Sequence, residues 1–361
     1  MRRCNGDGAH QREQTRDGSR TRTWARKSAF GLALAAVLPF GVSVAAPGFE
    51  PAAAQAAFNP DGFDFYVDSS MGPIKSRIFR AQDGNTDRVV YALDGQRARD
   101  DLNGWEIETE GARALAAANI NVVMPVGGMS SFYADWKSPS TFLGIPAGSA
   151  AGSGSGASQV LAGGPGKTYT YKWETFLTQD LRNALRDRLG FNVTRNGIFG
   201  LSMSGSAALT IAAHHPDQFV YAGSLSGALN LSTPIMRNAV RLAMLDCGGY
   251  NIDALGGAKD SSWTRLDPYT NASKLKANNT RLWISAGSGL PTSTDVINMT
   301  TIQGMGIEAV ALMGTKAFQT RFASVGGKNA IYDYPAVGVH NWKNWEAELA
   351  RMIPDLSANI G

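Results

Sequence analysis

The chain has 361 residues, of which 43% are hydrophobic and 41 are glycine. This composition suits a loop-rich α/β enzyme with one large domain or two smaller ones. The formal net charge of +4 comes from residues 1–56, which hold eight Lys/Arg and four Asp/Glu, so that 26 of each remain beyond them. A balanced charge gives no electrostatic basis for binding nucleic acid, and we expect no nucleic-acid partner.

The N-terminal segment has the pattern of an export signal. A basic stretch ending at Lys27 precedes the apolar run Ala29–Ala46, and Ala54–Ala56 forms a small-residue cleavage motif. The pattern predicts a signal peptide over residues 1–56, cleavage near Ala56-Ala57, and a secreted or cell-envelope protein. Because the apolar run reaches the roughly 18 residues at which spanning becomes possible, an uncleaved membrane anchor is the alternative. Beyond the leader, Cys247 is the single cysteine and cannot form an internal disulfide.

The pattern of residues 57–361 predicts one α/β domain. Two strands around Gly72-Pro73 are expected to pair antiparallel, and the apolar strands alternating with helices then indicate a parallel sheet. The predicted strands are Phe63–Val67, Ile74–Arg80, Arg88–Leu93, Asn121–Val126, the run before Ser202, Phe219–Leu225, Arg281–Ala286 and Asn329–Tyr334. The predicted helices are Thr109–Ala118, Trp173–Leu189, Ser206–His215, Thr233–Leu245, Ala272–Lys276, Thr294–Val325 and Trp342–Met352.

A Gly/Ser/Ala-rich piece at about 147–166 interrupts this order. Its composition predicts a mobile surface loop. We do not expect it to divide domains, because the sheet pattern resumes beyond it.

The stretch Asn196–Ser206 is a candidate nucleophile elbow. Apolar and small residues run into Ser202, and a predicted helix follows. Such a turn lifts a serine hydroxyl clear of the sheet and places helix N–H groups beside a developing oxyanion. Gly200 matches the first glycine of the Gly-x-Ser-x-Gly pattern, whereas Ser204 replaces the last one. An ordinary strand–helix junction capped by a serine is the alternative.

A serine nucleophile needs a base and an acid that orients the base. The chain has four histidines, and His10 lies in the leader. His214 and His215 end the helix after the elbow, roughly 18 Å from Ser202 at about 1.5 Å per residue, so they fit a helix C-terminus better than a base. His340 follows the last strand, where α/β-hydrolases carry their histidine.

The acid is harder to place from the sequence. Asp295 lies in the loop after the Arg281–Ala286 strand, the usual position in these hydrolases. Glu308 comes thirteen residues later within a helical pattern, and Asp333 lies in the last strand. Topology alone favours Asp295 over Glu308.

Six motifs resemble the antigen 85 family of mycolyltransferases, which are secreted α/β-hydrolases of mycolic-acid-containing actinobacteria. The resemblance runs from about Phe63 to Leu349 and implies an α/β-hydrolase fold, with helices on both faces of a central, mostly parallel sheet. The motifs are LDGQRARDDLNGWEIET (Leu93–Thr109), MPVGGMSSFYADW (Met124–Trp136), YKWETFLTQDL (Tyr171–Leu181), GLSMSG (Gly200–Gly205), SLSGALN (Ser224–Asn230) and GVHNW (Gly338–Trp342).

The resemblance implies a role for each matching position. Ser202 is the nucleophile, His340 the base, and Glu308, 32 residues before that histidine, replaces Asp295 as the acid. The implied oxyanion donors are the backbone N–H groups of Met203 and Gln96, although the family mostly has an apolar side chain at the second position. The implied substrate contacts, with Asn341 added because it lies between His340 and Trp342, are Asp94, Arg97, Asn230, Asn341 and Trp342.

This chain also departs from the family pattern. It lacks the cysteines that form a disulfide in the mycobacterial members, and Ala286 replaces a free cysteine that some members hold. These differences favour a corynebacterial-type member and give no support for fibronectin binding.

The function implied by the resemblance is a ping-pong acyl transfer. A mycoloyl group passes from trehalose monomycolate, through a Ser202 acyl-enzyme, to a sugar hydroxyl of a second trehalose monomycolate or of cell-wall arabinogalactan. The expected partners are trehalose mycolates and cell-envelope glycans, with association with the outer mycolate layer, and we expect a monomer without cofactor or metal. A secreted esterase or lipase and a non-catalytic cell-wall adhesin are the alternatives.

Overall fold

The structure is a computed structural model that describes residues 58–140, 165–257 and 261–361. The strands of these residues form one eight-stranded sheet. They are β1 (Phe63–Val67), β2 (Ile74–Phe79), β3 (Val89–Leu93), β4 (Asn121–Pro125), β5 (Asn196–Leu201), β6 (Phe219–Leu225), β7 (Arg281–Ser285) and β8 (Ala330–Asp333).

Helices connect the strands. They are α1 (Gly104–Ile107), α2 (Gly111–Ala117), α3 (Pro165–Thr168), α4 (Trp173–Thr175), α5 (Leu181–Leu189), α6 (Met203–His214), α7 (Pro234–Asp246), α8 (Ser262–Leu266), α9 (Pro268–Ala277), α10 (Met299–Ser324) and α11 (Trp342–Asn359). A π-helical turn, Phe176–Asp180, joins α4 to α5, and a 3-10 turn covers Ile252–Leu255.

The sheet has the order β1-β2-β4-β3-β5-β6-β7-β8. The pairs β1/β2 and β2/β4 are antiparallel, and every neighbouring pair from β4 to β8 is parallel. Parallel strands end at the same edge of a sheet, so the loops after β3, β5, β6 and β7 meet there. The α/β-hydrolase fold is thereby confirmed.

The sheet separates two hydrophobic cores. The side chains of Tyr91 and Leu93 join the cluster under α5 and α6, whereas Val90 and Ala92 join the cluster under α2 and α11. All five residues of β3 are buried, because helices cover both faces of a parallel sheet. This packing fixes the strand ends that carry the site.

Side-chain caps set the starts of the helices around the site. Thr233, Asp267, Asn298 and Asn341 each accept a hydrogen bond from a backbone N–H in the first turn of the helix that follows. Pro234 and Pro268 occupy first-turn positions, where the missing N–H costs nothing.

The structure corrects several predicted boundaries. The 294–325 helix begins at Met299 instead, because residues 292–295 form a turn closed by Thr292 and Asp295 and because Asn298 caps the helix. The last helix continues through Pro354 to Asn359. Short helices α1, α3 and α8 lie in segments where the sequence predicted no helix.

Some predictions concern residues outside the described ranges. The leader over 1–56 lies there entirely, as does the loop over 147–166 except for Pro165 and Gly166, which begin α3. The division into a leader and a 57–361 domain stays a prediction. Within 58–140, 165–257 and 261–361, no helix has the length and apolar character needed to cross a membrane.

Candidate active site

Ser202 lies at a sharp turn between β5 and α6. Its backbone has φ 53° and ψ −120°, a conformation that is strained for a residue with a side chain. The turn is held from β6, since Ser202 N donates to Leu225 O at 2.8 Å. This is the geometry of a nucleophile elbow, in which strain is accepted because it presents the hydroxyl above the sheet edge.

Ser204, the residue at the unmatched pattern position, ties the elbow to the neighbouring strand. Its buried hydroxyl accepts from Leu201 N at 2.9 Å and lies 3.0 Å from Leu93 O at the end of β3. Gly200 gives this side chain its space, since a Cβ there would lie 2.3 Å from Ser204 Oγ. The serine in the glycine position is therefore a structural part of this elbow.

His340 and Glu308 are brought together at the same edge. His340 Nδ1 lies 2.8 Å from Glu308 Oε2, with the histidine side chain 11% exposed and the glutamate fully buried. Because the carboxylate accepts from Nδ1, Nε2 is the nitrogen left to exchange a proton. His340 also packs edge-on against Trp345, with ring centroids 4.9 Å apart.

Two further groups hold the Glu308 carboxylate, and a third group holds one of them. Ser226 Oγ donates to Oε1 at 2.7 Å, and Gly287 N donates to the same oxygen at 2.6 Å. Trp345 Nε1 in turn donates to Ser226 Oγ at 3.0 Å. Ser226 has φ 53°, so the chain adopts a second strained turn at the end of β6 to place this hydroxyl.

The link between serine and histidine is open in this structure. Among the described residues, neither Ser202 Oγ nor His340 Nε2 makes a hydrogen bond. Catalytic hydrogen bonds are often long without substrate and tighten in the complex.

Asp295 does not take part in this arrangement. Its carboxylate accepts from Thr292 N at 2.6 Å and lies 3.2 Å from Lys343 Nζ. Asp333 accepts from Arg351 Nε at 2.6 Å. Of the three acids that the sequence left open, the structure brings Glu308 alone to His340.

The two backbone N–H groups to which the family resemblance assigns the oxyanion have no partner among the described residues. They belong to Met203, the first residue of α6, and to Gln96 in the loop after β3. The Gln96 loop is held in place, because Gln96 O accepts from Ser130 N at 3.0 Å and a Cβ on Gly95 would lie 2.7 Å from Leu201 Cδ1. The Gln96 side-chain Nε2 is buried without a partner as well.

Asp94 supports the loop after β3 from inside. Its buried carboxylate accepts from Gly95 N at 2.6 Å and from Gly104 N at 2.7 Å. Burial raises the pKa of the Asp94 carboxyl to about 6, against those two hydrogen bonds. Both oxygens are thus already engaged with the protein.

The remaining predicted substrate contacts differ in exposure. Arg97 has a side chain 69% exposed and pairs with Asp246 rather than with the acids next to it in sequence. Trp342 is half-buried, edge-on to Trp105 at 5.4 Å, and lies against Gly104, where a Cβ would be 2.3 Å from its ring. Asn230 is half-buried.

Asn341 has a local structural task. Its side chain accepts from Asn344 N at 3.0 Å and caps α11. The side-chain oxygen is therefore occupied directly beside His340.

The other two described histidines lie at the far end of α6. His214 is its last residue, and His215 Nε2 lies 2.7 Å from Glu174 Oε1. A cavity of about 350 Å³ opens beside this pair and is lined by none of the predicted site residues. Across the described residues, no group of three or more His, Cys, Asp or Glu side chains is placed to hold a metal ion.

Sequence reasoning missed the groups that support Glu308. Ser226 lies inside the SLSGALN motif, and Trp345 follows GVHNW by three positions. Neither residue type indicates from the sequence that its side chain supports a buried carboxylate. The available signal was that two serines, Ser202 and Ser226, each end a parallel strand at the same edge.

Comparisons with known proteins identify the family of the chain. A family model described as a putative esterase matches residues 73–356. A diacylglycerol acyltransferase/mycolyltransferase Ag85C of Mycobacterium avium is 38% identical over 330 residues, covering 90% of this chain and 86% of that protein. A diacylglycerol acyltransferase/mycolyltransferase Ag85B of Mycobacterium intracellulare is 38% identical over 346 residues, covering 95% of this chain and 96% of that protein.

Solved structures give the same result for the fold. The crystal structure of Mycobacterium tuberculosis MPT51 aligns with a TM-score of 0.67 at 28% identity, covering 83% of this chain and 99% of the other. An S-formylglutathione hydrolase from Agrobacterium tumefaciens aligns with a TM-score of 0.55 at 14% identity, covering 84% and 98%, and is similar in fold alone.

Proposed function

This chain belongs to the antigen 85 family of acyltransferases within the α/β-hydrolase superfamily, and we propose that it moves a mycoloyl group from trehalose monomycolate to a sugar hydroxyl through an acyl-enzyme on Ser202. The acceptor is a second trehalose monomycolate or the cell-wall arabinogalactan. The observation that carries the proposal is the buried Glu308–His340 hydrogen bond at the sheet edge where the strained Ser202 turn ends β5.

The first half of the reaction acylates the serine. His340 Nε2 takes the Ser202 hydroxyl proton as Oγ attacks the ester carbonyl, and Glu308 stabilises the imidazolium that forms. The unpartnered N–H groups of Met203 and Gln96 receive the developing oxyanion. His340 then gives its proton to the departing trehalose oxygen, and the acyl group remains on Ser202.

The second half reverses these steps with a new alcohol. A sugar hydroxyl gives its proton to His340 Nε2 and attacks the acyl-enzyme, and His340 passes this proton to Ser202 Oγ as the bond between Oγ and the acyl group breaks. Transfer instead of hydrolysis requires that the site hold a sugar hydroxyl in position and exclude water. The half-buried Trp342 ring offers an apolar face to a sugar, and the exposed Arg97 guanidinium offers hydrogen-bond donors.

Two of the proposed substrate contacts also have a structural task. Asp94 and Asn341 each accept backbone N–H groups, so we propose that they shape the site and contact the sugar through the remaining lone pairs of Asp94 and the amide NH2 of Asn341. Asn230 remains a proposed contact. We further propose export through the 1–56 segment, action as a monomer on trehalose mycolates and cell-envelope glycans at the outer mycolate layer, and no need for a cofactor or metal.

The experiment that tests the proposal follows the acyl group. The protein is incubated with a labelled acyl-trehalose and excess trehalose acceptor, and the products are separated into acylated sugar and free acid. We expect mainly transfer, and mainly free acid would identify an esterase instead. A serine-directed organophosphonate should label the wild type and Ser206→Ala but leave Ser202→Ala unlabelled; failure to label the wild type would favour a non-catalytic protein.

A further inference from the structure

Glu348 is a second carboxyl that the fold buries near Glu308. It lies on α11 with no exposed surface. Its Oε2 lies 2.7 Å from Ser285 Oγ at the end of β7, and its Oε1 accepts from Asn344 Nδ2 at 3.1 Å. No described cation forms an ion pair with it, which is unusual for a buried acid.

Ser285 belongs to the hydrogen-bonded set that holds Glu308. Ser285 O accepts from Ser226 N at 2.8 Å, and Ser226 Oγ donates to Glu308. Two residues beyond Ser285, Gly287 N donates to the same Glu308 oxygen. Trp345 and Glu348 lie one helical turn apart on α11. The helix therefore forms hydrogen bonds with two neighbouring strand ends, with Ser226 after β6 and with Ser285 at the end of β7.

The surroundings of Glu348 favour its neutral form. Burial and the nearby Glu308 charge raise the pKa of the Glu348 carboxyl to about 8. The hydrogen bond from Ser285, the charge of Arg351 and the hydrogen bond from Asn344 oppose this shift without outweighing it, and the Arg351 guanidinium is paired with Asp333. The other charged or titratable groups on the elements packed against α11 interact with other residues. Arg281 pairs with Asp355, and Arg113 pairs with Asp61 and Glu110. Tyr221 lies near Asp355.

We propose that Glu348 is a positioning residue for acyl transfer: a neutral carboxyl that fixes Ser285 and, through Ser285 and Ser226, holds Glu308 against His340. The inference rests on the role proposed above for Glu308. Neutrality matters, because a second carboxylate charge in this buried region repels Glu308 and disturbs its bond to His340. When Glu348 ionises in alkaline solution, the support is lost.

Glu348→Gln tests the role, because glutamine keeps the shape and stays neutral at every pH. With a soluble p-nitrophenyl ester, we expect wild-type kcat/KM to fall as pH rises above about 8, while Glu348→Gln keeps its rate to higher pH. Glu348→Leu, which makes neither hydrogen bond, should lose roughly tenfold or more in kcat at all pH values, with KM little changed. The matched control is Glu346→Gln on the same helix, whose half-buried carboxylate accepts from Glu110 N at 2.8 Å and makes no bond to Ser285 or Ser226, so this variant should follow the wild type.

A second measurement does not depend on turnover. The His340 ring signals in nuclear magnetic resonance spectra, assigned with a His340 variant, should show a step near pH 8 in the wild type that Glu348→Gln lacks. An inactive wild type that still shows this step would overturn the proposed acyl transfer and leave the coupling standing. Equal alkaline limbs in wild type and Glu348→Gln, or wild-type His340 signals without the step, would overturn the inference.

Discussion

The hydroxyl of Ser204 joins the elbow to Leu93, whose carbonyl oxygen lies 3.0 Å away at the end of the adjacent strand. Leu93 is the last residue before the loop that carries Asp94 and Gln96. The side chain at the unmatched pattern position therefore connects the strand of the proposed nucleophile to the loop of the second proposed oxyanion donor.

Ser204→Ala should destabilise the protein through this connection. The change leaves the buried Leu201 N–H without its acceptor, which costs about 1–3 kcal/mol of unfolding free energy. Urea denaturation of the variant and the wild type measures this loss of unfolding free energy, provided that the slope of the free energy against urea concentration is the same for both. An unchanged midpoint would mean that the bridge adds nothing to the fold.

Glu308→Gln should lower kcat by about 10³- to 10⁴-fold, because a neutral amide cannot stabilise the imidazolium of His340. Asp295→Asn is the matched control, since Asp295 is bonded to Thr292 and Lys343 and should lose no more than about twofold. Ester turnover and thermal melting of both variants give the comparison. If Asp295→Asn were the crippled enzyme, the assignment of the acid would be wrong.

Gln96→Leu should stabilise the protein and leave turnover nearly intact. The buried Gln96 amide nitrogen finds no partner among the described residues, so an apolar replacement relieves a desolvation cost of about 1–3 kcal/mol, while the backbone N–H stays in place. Thermal melting and kcat/KM measure the two effects. A hundredfold fall in kcat/KM with an unchanged melting temperature would instead place the Gln96 side chain among the groups that bind the substrate.

Glu174→Gln should reduce the stability of the protein near neutral pH and flatten its loss in acid. Burial disfavours the ionised Glu174, but hydrogen bonds from His215 and Arg265 outweigh it and lower the pKa of Glu174 to about 2. Because the pKa of Glu174 is lower in the folded state, its ionisation stabilises the protein at pH values above the unfolded pKa of about 4.5. This stabilisation is lost as the pH falls towards 2.

Melting temperatures measured between pH 6 and pH 3 test this prediction. The melting temperature of Glu174→Gln should fall less steeply with decreasing pH than that of the wild type. Parallel curves would show that the Glu174 ion pairs do not contribute. The buried position of Glu174 also shows that this part of the YKWETF motif has a task inside the fold.

The fold was predictable because its signals are local. Continuous apolar runs marked β3 and β6, and the serine between β5 and α6 marked the elbow. The proposed base was the candidate left by elimination, since few histidines were available and only His340 followed the last strand. Asn298 and Asn341 are residue types that favour a helix N-cap, and both cap a helix in the structure. The predicted 294–325 helix nevertheless extended past Asn298.

The acid could not be predicted from spacing, because Glu308 lies on the third turn of a 26-residue helix, and its position depends on which face of α10 turns inward. Asp295 had the expected loop position but is directed to Lys343. Arg97 likewise pairs with Asp246, 149 residues away in the sequence, a partner that only the packing of α7 against the loop provides. Tertiary contacts of this kind leave no periodic trace in a single sequence.

The hydrogen bonds of α11 to Ser226 and Ser285 also bear on when the proposed active site forms during biosynthesis. A polypeptide emerges from its N-terminus, so Ser202 is made long before His340, Trp345 and Glu348. Until those late residues dock, the proposed base is not held near Ser202, and the serine remains an ordinary alcohol. On the proposed mechanism, the chain therefore gains its activity towards esters only when α11 has folded.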